Sequence, residues 1–217
     1  MDLERLTKAE YDAHLKSKTF RLAFIGMSNV GKSYRSKKLR KDSDFTWYQV
    51  DKEIIKSLGL KDMDGISEWL GFPDSKTYAE REKTYLEEEA KCTQVDFLDT
   101  NGKNLVFDTT GSLIYLKRST IDWLQEYCLI VHLEADEEAI GAAIRQIYDE
   151  TKPLVWSGFY KPKSGETQKE TVARCYPKLL ADRLARYRRM AHVNVPAKDL
   201  YDKSGKETIE IIRSYLA

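Results

Sequence analysis

Little in this chain of 217 residues could staple it, anchor it or draw a partner to it by charge alone. Its three cysteines, Cys92, Cys128 and Cys175, are widely spaced, odd in number and form no C-x-x-C pair, so they read as reduced thiols and exclude a disulfide framework or a zinc motif. With 5 prolines and 11 glycines, the chain is neither collagen-like nor of low complexity. No apolar run is long enough to span a bilayer, and the N-terminus MDLERLTKAEYDAHLKSK alternates in charge where a signal peptide has an apolar centre. A cytoplasmic protein without a membrane partner is the expectation. The formal net charge is only +1, from 36 basic and 35 acidic residues, so no global field recruits nucleic acid. Any anion must be held by local geometry. What remains is 41% apolar and 33% charged residues, the composition of a soluble globular chain whose length suits one domain.

Residues 1–18 read as an N-terminal helical extension, polar apart from a partial stripe of Leu3, Leu6, Tyr11 and Leu15. From residue 19 to 217 strand-like and helix-like segments alternate, as expected of one phosphate-binding α/β domain. Phe20–Ile25, Thr46–Val50, Asn104–Phe107, Cys128–Leu133 and His192–Val195 are the strand candidates. Residues 32–41, 52–58, 75–91, 136–149, 168–191 and 205–216 have helix-forming composition, and a short helix is expected at Ile66–Leu70. Such alternation predicts a parallel sheet of five strands covered on both faces, an α/β three-layer sandwich. Residues 150–166 hold two prolines, two glycines and three lysines and exceed an ordinary connection in length, which suggests a lid.

The sharpest signal is Gly26-Met27-Ser28-Asn29-Val30-Gly31-Lys32-Ser33, a full G-x-x-x-x-G-K-[ST] match. The apolar strand before it and the Lys-rich helix after it give it the right setting, because backbone N–H groups and a helix N-terminus then converge on phosphates. Gly26 and Gly31 permit the loop's backbone, Lys32 can reach the β- and γ-phosphates, and the Ser33 hydroxyl can ligate Mg²⁺. With Ser28, Asn29, Val30 and Tyr34, these residues form the expected ATP site. Asp108, at the end of the Val106-Phe107 strand, stands where a second Mg²⁺-shell group belongs. No N-K-x-D base-reading motif occurs, and the third strand runs into Thr109-Thr110-Gly111 rather than D-E, so neither a familiar GTPase nor an oligomeric ATPase fits.

Three further groups carry chemistry. Asp51, just past the second strand, lies at the carboxyl edge of the sheet and could accept a proton from an acceptor hydroxyl, the alternative being a helix N-cap. Arg183 falls in the row Leu179, Arg183, Tyr187 beside an apolar face, where a guanidinium needs an anion. Thr110 and Gly111 would line the acceptor side, and Lys152 in the 150–166 segment could close over the γ-phosphate.

The chain from about Arg21 to Pro196 resembles the shikimate kinases and their relatives among small P-loop metabolite kinases. Besides the phosphate loop, Trp47-Tyr48-Gln49-Val50-Asp51 is similar to that family's aromatic–D-x-D segment, and Tyr78-Ala79-Glu80-Arg81-Glu82 to its F-R-x-x-E segment. Lys152-Pro153-Leu154 resembles the R-P-L of its lid, and Arg183-Leu184-Ala185-Arg186-Tyr187 its R-x-x-x-Y helix. The resemblance implies a nucleoside-monophosphate-kinase-like P-loop fold with a lid, Mg-ATP, and catalytic roles for Lys32, Asp51 and Lys152. It also implies an adenine-stacking role for Arg145, with Arg81 partly replacing an arginine lost at Ala79. Gln49, Ala79, Thr109-Thr110 and Lys152 depart from the family pattern, so the expected acceptor is a small hydroxyl compound other than shikimate, anionic if Arg183 binds it. A catalytically degenerate nucleotide-binding regulator and a nucleotide or nucleoside kinase are the alternatives.

Overall fold

The computed structural model describes residues 6–95, 98–149 and 154–216. The strands are β1 (Arg21–Ile25), β2 (Phe45–Gln49), β3 (Asn104–Asp108), β4 (Leu129–Glu134) and β5 (Val193–Pro196). All pair in parallel in the order β2-β3-β1-β4-β5. Every residue of β3 is buried, as are four of the five in β1, which explains why these strands are continuous apolar runs rather than alternating ones. Phe24 of β1 is in register with Asp108 on one side and Val131 on the other. The connection out of β1 runs toward one edge of the sheet and that out of β3 toward the other, so the crevice in which open α/β sheets bind ligands lies at the carboxyl ends of these two strands.

The helices are α1 (Lys8–Ser17), α2 (Lys32–Asp42), α3 (Val50–Ser57), α4 (Met63–Leu70), α5 (Tyr78–Thr93), α6 (Arg118–Tyr127), α7 (Glu137–Asp149), α8 (Gln168–Met190) and α9 (Gly205–Ser214). Thr7 with Glu10, Thr167 with Glu170 and Ser204 with Glu207 close capping boxes that start α1, α8 and α9. Right-handed crossovers put α2 on one face and α6 on the other, because the β1–β2 and β3–β4 connections run in opposite directions along the sheet. Helix α6 was not among the expected helices, although β3 and β4 are parallel and require a crossover between them. The last helix, α9, packs on α2, and α7 packs on α8.

Helix α1 is docked on the domain through one residue above all. Tyr11 is fully buried, its ring lies 4.7 Å from that of Phe20, and its hydroxyl donates to the Ile209 carbonyl of α9 at 2.9 Å. An Asp12–Arg213 ion pair at 2.6 Å ties the same two helices at the surface. Residues 154–166 have neither helix nor strand, yet Val155 and Trp156 are buried among the surrounding helices. The Trp156 and Ser157 amides donate to Glu82 of α5 at 2.7 and 2.9 Å, and Tyr78 donates to the Leu154 carbonyl at 2.7 Å. Cys128 and Cys175 are buried, Cys92 is partly so, and all three are free.

Candidate active site

The phosphate loop leaves β1 at Gly26, whose φ of 144° suits glycine. A Cβ there would also sit 2.9 Å from the Leu133 carbonyl oxygen, so the close approach of β4 excludes a side chain. The Lys32 amine is buried and donates to the Gly26 and Met27 carbonyls at 2.9 and 3.0 Å. Burial draws its pKa down, while the negative charges of Asp108 and Asp51 push it up. A phosphate group would supply the close counter-charge that two neutral carbonyls do not.

Ser33 follows on α2 near Asp108, which ends β3 and accepts from the Trp47 indole at 3.2 Å. Burial raises the Asp108 carboxyl, with Ser33, Lys32 and Trp47 drawing it back. Among the described residues no group of three His, Cys, Asp or Glu side chains is placed to hold a metal. Ser33 and Asp108 nevertheless fit Mg²⁺, which takes one or two protein oxygens and completes its shell with phosphate and water. Asp51 lies in the first turn of α3 but does not cap it: the cap position is Gln49, without a side-chain bond. Its carboxyl is raised by burial, lowered by Lys32 and raised again by Asp108.

These groups open onto one cavity of about 490 Å³. Lys32, Ser33 and Asp51 line its phosphate end, Thr109 to Ser112 its floor, and Arg183 its far side. Ile66 and Leu70 of α4 with Val155 and Tyr176 make an apolar wall. Thr109 is fixed by its hydroxyl donating to the Phe24 carbonyl at 2.6 Å. Arg183 is buried, lies 5.6 Å from the Tyr115 ring and donates to the Val155 carbonyl at 2.6 Å, while its buried Nε has no partner. No ion pair involves Arg183 among the described residues. A guanidinium so placed retains charge and donors for a ligand anion. Gly111 touches both ends of the site: a Cβ on it would lie 3.4 Å from Arg183 Nη1 and 3.8 Å from Ser28 Oγ.

The structure thus brings together Ser28, Asn29, Lys32, Ser33, Asp51, Thr110, Gly111 and Arg183 in one cavity, with Asp108 near Ser33. Tyr34, Val30 and Gly31 line a second cavity of about 370 Å³ across the phosphate loop, beside Tyr201 and Asp202. Two expected residues are elsewhere. Arg81 donates to the Trp69 carbonyl at the end of α4 and stacks 5.9 Å from that indole, so it braces α4 against α5 rather than lining the acceptor cavity. Arg145 is exposed on α7 and lines neither cavity; the next residue, Gln146, faces the site and accepts from the Asn29 amide at 3.3 Å. Lys152 lies outside the described residues. Two carboxylates had no role assigned from the sequence, Glu82 being read only as part of the Tyr78–Glu82 segment. Glu82 receives the amides of Trp156 and Ser157, and Glu89, fully buried, receives the hydroxyls of Thr110 and Ser112.

A five-stranded parallel sheet in this order, with the phosphate loop after its central strand, is the P-loop fold of the nucleoside-monophosphate-kinase type. The solved structures it resembles include shikimate kinases. The enzyme from Bacteroides thetaiotaomicron matches with a TM-score of 0.53 and 16% identity over 90% of this chain and 97% of that one. The Acinetobacter baumannii enzyme, solved in complex with shikimate, gives a TM-score of 0.54 and 20% identity over 94% and 97%. The Aquifex aeolicus enzyme gives 0.51 and 18% over 88% and 92%. No protein-family model matches the chain, and no curated protein matches its sequence. The chain has a shikimate-kinase-like fold, divergent in sequence.

Proposed function

We propose that the protein is a phosphotransferase that moves the γ-phosphoryl group of ATP to a hydroxyl of a small anionic acceptor other than shikimate. The observation that carries the proposal is that Lys32, Ser33, Asp51 and the buried Arg183 line one cavity. Phosphoryl transfer needs alignment and charge neutralisation more than covalent help, and these are the groups such a reaction uses. Lys32 binds the β- and γ-phosphate oxygens in place of the Gly26 and Met27 carbonyls. Ser33 and Asp108 would hold Mg²⁺, which would supply charge neutralisation on the phosphates. Asp51, whose burial raises its proton affinity, accepts the hydrogen bond and then the proton of the attacking hydroxyl. Arg183 holds the acceptor's anionic end, so that the intended hydroxyl faces the phosphate and water does not. The apolar wall of Ile66, Leu70 and Val155 helps to exclude water from the reacting atoms.

The first test is nucleotide affinity in Lys32→Ala against the wild type, read by calorimetric titration with ATP and Mg²⁺. Loss of about 100-fold or more is expected for removing a charged donor to phosphate. Equal affinity in the two proteins would refute the site.

A further inference from the structure

Glu89 lies on the inward face of α5, fully buried, and among the described residues it has no ion-pair partner. Its two carboxylate oxygens accept from Thr110 Oγ1 and from Ser112 Oγ, the second at 2.6 Å. The turn they belong to is tied twice more. The Ser112 amide donates to Thr110 Oγ1 at 3.1 Å, and the Gly111 carbonyl accepts from the Tyr187 hydroxyl of α8. Between these ties Gly111 faces Arg183 on one side and Ser28 on the other. A buried carboxylate without a cation is costly to keep, and a neutral side chain could fill the same space more cheaply.

We propose that Glu89 is a positioning residue for the acceptor: its carboxylate clasps the Thr110–Ser112 turn against α5 and so sets Gly111 at a fixed distance between the phosphate loop and Arg183. The acceptor clause rests on the phosphotransferase reading of the cavity; the clasp does not. A carboxylate can only accept, which suits two hydroxyl donors, whereas a protonated carboxyl must donate and turn one hydroxyl away. Burial pushes Glu89 up to about 7 against the pull of the Ser112 and Thr110 hydroxyls, so the clasp changes character near neutral pH. The groups facing it are Asp51 of α3, Tyr85 and Cys92 of α5 itself, and Arg183 and Tyr187 of α8. Burial holds the two tyrosines well above neutral and Cys92 at about 11. Asp51 is raised as well, so removal of Glu89 itself is the discriminating change.

The experiment compares wild type, Glu89→Gln and Thr110→Val as full chains. The amide ¹⁵N–¹H resonances of Thr110, Gly111 and Ser112 are followed from pH 5.5 to 8.5, together with the pH dependence of KM for ATP and for any acceptor that supports turnover. In the wild type the three amides titrate together near neutral pH, and in Glu89→Gln they do not. At pH 8 Glu89→Gln and Thr110→Val raise the acceptor KM about tenfold, the worth of one charge-assisted hydrogen bond, with the KM for ATP unchanged. Amides that do not titrate, or a Glu89→Gln enzyme with the wild-type acceptor KM, overturn the role of Glu89. Absence of turnover on every acceptor overturns the phosphotransferase reading, and the acceptor clause with it.

Discussion

Replacing Glu89 by Gln is expected to stabilise the protein at pH 8 and not at pH 5. The carboxyl is raised from an ordinary 4.5 to about 7, chiefly by burial. A carboxyl with a raised native pKa contributes stability that is whole below about 4.5 and is lost as pH rises through about 7. At about 1.4 kcal/mol per pKa unit, ionising it inside the fold costs the wild type about 3 kcal/mol by pH 8. Gln keeps the shape and never ionises, but it offers one acceptor where the carboxylate offers two, so one hydroxyl, of Thr110 or Ser112, must reorient at a cost of about 1 kcal/mol. The variant should therefore be about 2 kcal/mol more stable than the wild type at pH 8 and about equal to it at pH 5, where the wild-type carboxyl is largely protonated and also turns one hydroxyl away. Urea unfolding at the two pH values reads both. A difference between the proteins that is the same at pH 5 and pH 8, or a variant less stable at pH 8, refutes the reasoning. A more stable and less active variant is the exchange expected where a strained group serves a site.

The other predictions concern different parts of the molecule. Gly205→Ala places a Cβ 2.7 Å from the Lys38 carbonyl oxygen and 2.8 Å from Ser43 Oγ, where α9 crosses α2. Urea unfolding should show a loss of about 1–3 kcal/mol, as overpacking does. Arg183→Met should raise acceptor KM about 100-fold, the loss of a charged donor to an anion, and leave ATP binding intact. Its stability should change little, since the native guanidinium satisfies one protein carbonyl and no carboxylate. Asp51→Asn should keep nucleotide affinity within a few-fold while lowering kcat about 100-fold or more, the usual worth of a general base; rapid-quench and equilibrium binding separate the two.

Some of this was legible in the sequence because single elements announce themselves. The phosphate loop carries its own conformation and chemistry in eight residues, and the five strands are short apolar runs between turn signals, so each expected strand lies within a residue of the observed one. The ends of α1, α8 and α9 were legible too, since Thr7, Thr167 and Ser204 each stand three residues before a glutamate. Helix α6 lacks such a signal, having no side-chain cap, and its amphipathic pattern was the only local sign of it. Parallel pairing of both β3 and β4 with β1 demands a crossover there, but pairing is a tertiary fact.

Within the site, sequence spacing found the groups on the loop and strand ends and missed those on α5. Tyr78, Glu82, Tyr85, Glu89 and Thr93 fall at intervals of three and four, so both glutamates sit on the buried row of the helix. That row was a signal, and the five acidic residues along α5 hid it by making the whole helix look solvated. Arg81 and Arg145 failed for a different reason. Both lie on helices close to the site, and a turn of 100° per residue decides what a side chain meets: Gln146, one residue past Arg145, lines the cavity, and Glu82, one past Arg81, binds the Trp156 and Ser157 amides.

The central claim is that one cavity joins a nucleotide to a hydroxyl acceptor. ADP formation from ATP and Mg²⁺ measured across shikimate, other hydroxy acids, polyols, nucleosides and nucleotides, with Lys32→Ala and Arg183→Met alongside, tests it most directly. The account predicts turnover that depends on an anionic acceptor other than shikimate, is lost in Lys32→Ala and needs about 100-fold more acceptor in Arg183→Met. Tight ATP binding with no acceptor-dependent ADP formation would contradict it.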